Sequence, residues 1–280
     1  MNRIAALFLI PALVSACGDR GVPSEVRLRL EYEEGDTLLY EYRTEGMVTM
    51  PDTSEPSGRK TQPYQRHLIV EEAVRDVTPS GNYVLVWTFH LRADSLAGEK
   101  SEDLPDSVQL TVQITPQGRV LSVGGVETAR PLFGEIDFQS YFEQSQPVFP
   151  ERPLKVGDSW TQEVRVVSPR SEPVTTSSTY VLESVMEEDG EPVAVIAFDG
   201  DIYLPFLSRP AEADSLAAAA TTEERIRVTG KMYFALESGK VRRAESEADA
   251  TLTKVEIIDG EPVRREVKIQ ETTRYEVTNP

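Results

Sequence analysis

Apolar and polar residues alternate one for one along most of this chain, and that period of two most constrains what it can fold into. Val26, Leu28, Leu30 and Tyr32 alternate with Arg27, Arg29 and Glu31. Leu38, Tyr40 and Tyr42 alternate with Leu39, Glu41 and Arg43. Tyr83, Leu85, Trp87 and Phe89 line one face of a further run, and Val108, Leu110, Val112 and Ile114 another. The second half continues with Tyr180/Leu182, Ile226/Val228/Gly230/Met232/Phe234 and Val267/Ile269. Successive side chains of a strand point to opposite faces, so each run describes a strand with one face on a core and one in water. Such alternation favours antiparallel sheets over the continuous apolar strands of α/β folds.

Turn chemistry separates the runs. Pro79-Ser80-Gly81-Asn82, Pro116-Gln117-Gly118, Glu188-Asp189-Gly190, Glu237-Ser238-Gly239 and Asp259-Gly260 each stand between two strand-like stretches and predict hairpins. Pro51 to Pro63 and Ala93 to Asp106 read as exposed loops with no packing role. Two segments break the β pattern. In Glu127 to Gln146, Leu132, Phe133, Ile136, Tyr141 and Phe142 fall near helical spacing, which predicts one or two short helices, the main one over Ile136 to Ser145. Ala211 to Glu224, centred on Ala217 to Ala220, reads as a surface helix or lid.

The two halves of the chain resemble each other in outline. Glu34-Gly35-Asp36-Thr37 and Val156-Gly157-Asp158-Ser159 each open a long strand, and Gly118 and Gly239 each sit in a later hairpin. The separation of Gly35 from Gly157 nearly equals that of Gly118 from Gly239, whereas Gly81 and Gly190 lie closer together. An internal duplication accounts for this spacing, and so does common turn chemistry. The expected organisation is one β-rich domain over 26–280, built of halves 26–126 and 154–280 joined by a helical segment 127–153.

The first residues carry a separate message. Arg3, the apolar run Ile4 to Val14 and the small residues Ser15-Ala16 form a signal peptide, 1–16, and the only cysteine follows. The run is too short to span a bilayer, which takes about 20 apolar residues. Val14-Ser15-Ala16-Cys17 resembles a bacterial lipobox. That resemblance implies cleavage before Cys17, acylation of its thiol with palmitate-like chains, and a lipidated tether over 17–25. Two or more acyl chains anchor a protein stably where one does not. Gly18 stands where an inner-membrane retention aspartate would stand, so the expectation is an outer membrane lipoprotein facing the periplasm.

The chain holds 29 basic and 47 acidic residues, a formal charge of -18. That balance repels polyanions and argues against nucleic acid as a partner. With Cys17 committed to lipid, no disulfide forms within the chain, and stability must come from the core. The chemical inventory is thin. His67 and His90 are the only histidines, neither sits at metal-ligand spacing, and there is no nucleophile elbow, phosphate-binding loop or dinucleotide turn. Asp199-Gly200-Asp201 lacks the spacing of a calcium loop and reads as a turn or bulge. No catalytic residue, metal or cofactor is expected.

Phe133, Phe138, Tyr141, Phe142 and Trp160 gather in the central segment, with Phe149 between them. Two roles fit these rings. They line a pocket for an apolar ligand between helix and sheet, or they plug the sheet's open face, which any curved sheet must cover. Phe149-Pro150-Glu151-Arg152-Pro153-Leu154-Lys155-Val156-Gly157-Asp158-Ser159-Trp160 resembles a P-x-x-P-x-x-x-G-D-S-W segment of uncharacterised bacterial lipoprotein families. The expected fold is mainly β, a large curved antiparallel sheet or half-barrel of ten to twelve strands around a central aromatic helix. It resembles lipoprotein-carrier-like lipid-binding lipoproteins, an analogy of fold that does not by itself establish function. The resemblance implies a non-enzymatic envelope lipoprotein with an apolar ligand or an envelope protein as its partner. A scaffold of two β-sandwich-like halves with a filled core is the alternative, and a hydrolase a more distant one.

Overall fold

A computed structural model describes residues 24–52, 54–55, 57–90, 106–133, 136–168, 171–207, 221–258 and 261–278. The signal peptide, Cys17 and most of the tether lie outside these residues, as do the second candidate helix over 211–220, the loop over 93–105 and the Asp259-Gly260 turn. The strands are β1 (Thr37–Pro51), β2 (Arg59–Val77), β3 (Tyr83–His90), β4 (Ser107–Ile114), β5 (Val120–Gly124), β6 (Ser159–Ser168), β7 (Ser171–Glu188), β8 (Glu191–Leu207), β9 (Thr221–Ala235), β10 (Lys240–Ile258) and β11 (Glu261–Thr278). Two helices, α1 (Val126–Phe133) and α2 (Phe138–Ser145), separate β5 from β6.

All eleven strands form one antiparallel sheet in the order β5-β4-β3-β2-β1-β11-β10-β9-β8-β7-β6, curved and not closed into a barrel. Every neighbouring pair but one is formed by strands consecutive in the chain. The exception is the pairing of β1 with β11, which runs from Leu39 opposite Thr278 to Thr49 opposite Lys268 and joins the two ends of the chain at mid-sheet. The halves are thus parts of a single sheet, and the alternative of two sandwiches does not describe this chain.

The parity of each strand sets its face. Tyr40 and Tyr42 of β1, Leu68, Val70 and Glu72 of β2, and Leu85, Trp87 and Phe89 of β3 point to the concave side, where α2 packs. The concave face carries the core, with Leu85, Leu110, Val112, Leu182, Ile196 and Phe234 essentially excluded from solvent. Glu41, Arg43 and His67 share the convex face, with Glu41 bridging Arg43 at 2.7 Å and His67 at 2.8 Å.

The two Gly-Asp turns have the same local structure. In each, the aspartate Oδ2 accepts the amide of the residue three before it, Glu33 at 3.0 Å and Lys155 at 3.1 Å. Gly35 and Gly157 have φ of 91° and 92°, a left-handed backbone that favours glycine. Their amides donate to Val74 in β2 and Leu182 in β7. Each turn leads into the first strand of a five-strand run, β1–β5 or β6–β10. Gly81 and Gly190 then fall between second and third strands, and Gly118 and Gly239 between fourth and fifth. β11 stands outside the correspondence.

Several local expectations need correction. Val26, Leu28 and Leu30 are buried as their alternation requires, yet the segment makes only an isolated bridge between Val26 and Leu154, not a strand. It runs against the ends of hairpins, with Leu30 donating to Pro116 and Glu31 to Gly239, so its burial comes without a ladder. Arg59 to Pro63 belongs to β2, because β1 extends to Pro51 and imposes a long hairpin on polar residues. Thr221 to Glu224 belongs to β9 instead of a helix. Asp199-Gly200-Asp201 is neither turn nor bulge but runs straight through β8, with Asp199 paired to Arg227 at 2.8 Å.

Candidate functional site

Helix α2 forms because its first turn is capped and its inner face is apolar. Asp137, in an extended conformation, accepts from the amides of Gln139 at 3.1 Å and Ser140 at 3.4 Å and from the Ser140 hydroxyl at 2.6 Å. Phe138 and Phe142, four residues apart, are buried against the sheet. Two glutamines then fix the helix. Gln144 donates to the Tyr203 carbonyl at 3.1 Å and accepts the Tyr203 amide at 2.8 Å, as a neighbouring strand would. Gln162 of β6 donates to the carbonyls of Glu143 at 2.6 Å and Gln146 at 3.0 Å, satisfying the helix's last turn.

Held in this way, α2 does not fill the concavity. A cavity of about 460 Å³ remains between the helix, the segment Gln146 to Phe149 and the inner face of the sheet. That volume lies within the range of about 300–1,000 Å³ usual for small-molecule sites. One wall is aromatic and aliphatic, made by Tyr40, Tyr42, Leu68, Val70, Trp87, Phe89 and Tyr275. The other mixes the small side chains of Ser178, Gly200, Ala244 and Ser246 with the larger Tyr180, Phe198, Ile202, Val228 and Met232. Gly230 lies beneath Phe198 on that side, where a Cβ would stand 2.7 Å from the Phe198 ring and 2.9 Å from the Ser246 backbone. A second cavity of about 290 Å³ lies on the other side of Tyr141 and Phe142, lined also by Phe138, Leu110, Arg66, Glu224 and Glu271.

Among the described residues lining the first cavity, one side chain is charged, Glu72. It is only 3% exposed and is met by neutral donors, the Tyr40 hydroxyl at 3.1 Å and the Trp87 indole N–H at 2.8 Å. Burial pushes its carboxyl above the usual carboxylate range, outweighing the stabilisation of its charge by Tyr32, Tyr40, Trp87 and the more distant Lys240. Burial together with the Glu72 charge raises the phenols of Tyr32, Tyr40, Tyr42 and Tyr275 in turn. Lys240 itself is engaged elsewhere, 2.7 Å from Asp36. In the second cavity the acids have a cation at hand. Arg66 lies 3.4 Å from Glu271, whose carboxylate also accepts the Tyr64 hydroxyl.

The aromatic residues singled out from the sequence are placed unequally. Tyr141 and Phe142 line both cavities, with Phe142 edge-on to Trp87 at 4.9 Å between ring centres. Phe138 lines only the second cavity. Trp160 lines neither. It is the second residue of β6, lies stacked on Tyr180 at 5.2 Å, and its indole N–H is buried without a hydrogen-bond partner among the described residues. Phe133 ends α1, and its side chain lies outside what is described. His67 meets Glu41 and His90 approaches Glu71 at 3.8 Å, both away from the cavities. Among the described residues no three His, Cys, Asp or Glu side chains group to hold a metal, and no helix is long and apolar enough to cross a membrane.

Glu72, Tyr40, Tyr42 and Tyr275 went unnoticed as site residues, although one signal was present. In Leu68, Val70, Glu72 and Val74 the glutamate occupies the apolar parity of its strand, and a charge on a core-facing position is informative because buried charges are rare.

The fold and site together define an open, single-sheet β protein whose concave face keeps an aromatic-walled cavity under a pinned helix. Residues 127–239 match a family model described as Family of unknown function (DUF6263). That stretch is less than half of the chain and carries both helices and the strands β6 to β9, but not Tyr40, Tyr42, Glu72 or Tyr275. No curated protein matches the chain.

Proposed function

We propose that this protein is a non-enzymatic, lipid-anchored protein of the bacterial envelope that binds an apolar or amphiphilic molecule between its sheet and α2. The observation that carries the reading is the cavity of about 460 Å³, walled mainly by aromatic and aliphatic side chains, with Ser, Gly and Ala interspersed on one side. An apolar space of that size forfeits contacts its lining atoms would otherwise make, a cost that a bound apolar molecule recovers. A scaffold needs no such space. The lipobox-like Val14-Ser15-Ala16-Cys17 supports placement at a membrane surface, and Gly18 after the cysteine supports the outer membrane over the inner one.

Native mass spectrometry of the protein purified from membranes tests the binding. The expected result is co-purifying lipid that is lost when Ser246→Phe fills the space beside the small residues. Protein that carries no lipid and takes up no apolar fluorescent probe overturns the reading. Anchoring is tested by metabolic labelling with palmitate, which Cys17→Ser should abolish.

A further inference from the structure

Among the described residues, Glu72 is the one charged side chain in a largely apolar cavity, and no cation pairs with it. Buried carboxylates are normally paired, because desolvating a charge costs far more than neutral hydrogen bonds return. Glu72 has the Tyr40 hydroxyl and the Trp87 indole as donors, and among the described residues it makes no ion pair. Tyr42 and Tyr275 line the same cavity with ring centres 4.9 Å apart. Neither phenol of this pair makes a hydrogen bond to another described residue, so their oxygens are left to accept. The environment therefore offers one negative charge, two vacant phenol acceptors and several π systems, with no lysine or arginine among the described residues of the lining. That combination suits a cation. Aromatic rings attract ammonium groups, most strongly when both are desolvated.

We propose that Glu72, Tyr42 and Tyr275 receive the ammonium group of an amphiphile whose apolar chain occupies the rest of the cavity. This rests on the binding role given above and adds the chemical class of the ligand. An anionic head group is disfavoured at this end by repulsion from Glu72. A neutral hydroxyl head group leaves the carboxylate without a counter-charge, and its binding rests on the apolar chain.

The test uses the full chain carrying Cys17→Ser, loaded with the uncharged fluorescent probe N-phenyl-1-naphthylamine. Dodecylamine, dodecanol and dodecanoate are titrated below their micelle concentrations. Dodecylamine should displace the probe at concentrations roughly tenfold or more below dodecanol, and dodecanoate should be weakest. Glu72→Gln should bring dodecylamine to the level of dodecanol while leaving dodecanol unchanged. Tyr42→Phe combined with Tyr275→Phe should weaken the amine alone. Circular dichroism and unchanged dodecanol binding verify that the variants fold. Dodecanol bound as tightly as the amine, dodecanoate preferred, or a preference that survives Glu72→Gln overturns the head-group site and leaves the carrier role standing. Failure of the probe and all three amphiphiles to bind removes both.

Discussion

Strands β1 to β3 and strands β8 to β10 face one cavity with different mixtures of side chain. The first wall presents Tyr40, Tyr42, Val70, Trp87 and Phe89, and the second sets Gly200, Ala244 and Ser246 among Phe198, Ile202, Val228 and Met232. Both walls belong to runs that pass through the same order of turns, so backbone plan does not separate them. Side-chain volume does. Bulky residues bring one wall to close packing against α2, where Phe142 meets Trp87. On the other wall Gly200, Ala244 and Ser246 interrupt the larger side chains and line the space that α2 leaves unfilled. The lesson is that a site arises here from a mismatch of volume between walls of similar design, not from an added loop or domain.

The sharpest way to break the comparison is to remove bulk from the packed side. Phe142→Ala should cost about 3–5 kcal/mol in urea unfolding, since the ring is 2% exposed and its loss leaves a hole that the pinned helix cannot close. A cost below about 1 kcal/mol would mean that this side is not close-packed. The next effect concerns the pin. Gln144→Ala strands the Tyr203 amide and carbonyl, buried backbone groups that have Gln144 as their partner, and should cost about 1–3 kcal/mol by the same measurement. Retention of full stability would show that α2 is held by its apolar face alone.

Glu72 sharpens the comparison through pH. Its folded carboxyl titrates above the ordinary 4.5, with burial as the main cause. Between the unfolded and folded values the native state binds more protons than the unfolded state. Stability is therefore fully present below the unfolded value and is lost as pH rises through the folded one, with a slope approaching about 1.4 kcal/mol per pH unit inside that window. Asp36 runs the other way. Burial raises it, but the Lys240 hydrogen bond and the Glu33 amide outweigh burial and hold it below its usual range. Its contribution is lost as pH falls through that lowered value. Unfolding curves over pH for the wild type and Glu72→Gln should differ by a falling slope above the ordinary carboxylate range. Identical curves would contradict the burial of Glu72.

The smallest stability effect belongs to the wall that carries the small residues. Ser246→Phe places a ring in existing space, so its stability should stay within about 1 kcal/mol of wild type while uptake of the apolar probe is lost. A loss as large as that of Phe142→Ala would show both walls to be equally packed.

The legibility of this molecule followed the range of the interactions. Hairpins at Gly81, Gly118, Gly190 and Gly239 were readable because turn conformation is decided by three or four adjacent residues. Helix α2 was readable over Ile136 to Ser145 and begins at Phe138, two residues late, because the Asp137 cap sets its start. The alternation of Val26 to Tyr32 correctly marked a buried face, yet no strand formed, since a ladder needs a free neighbouring edge and this segment meets the ends of hairpins. β10 was marked only by the turns at its two ends, because its inner face reads Ala244, Ser246, Ala248 and Ala250, residues of weak β preference and little hydrophobic contrast.

By itself the amino-acid sequence determined a β-rich chain with two-faced strands, hairpin positions, an aromatic helical connection and an acidic outer surface. All of these depend on residues a few positions apart. Only the tertiary structure decided that one sheet, not two sandwiches, would form, because that depends on β1 finding β11 from the opposite end of the chain. The same pairing sets Tyr42 beside Tyr275, over the carboxylate of Glu72. Periodicity tells each side chain which face it occupies, but the volume left between facing walls, and the charge enclosed in it, exist only once distant strands are in register.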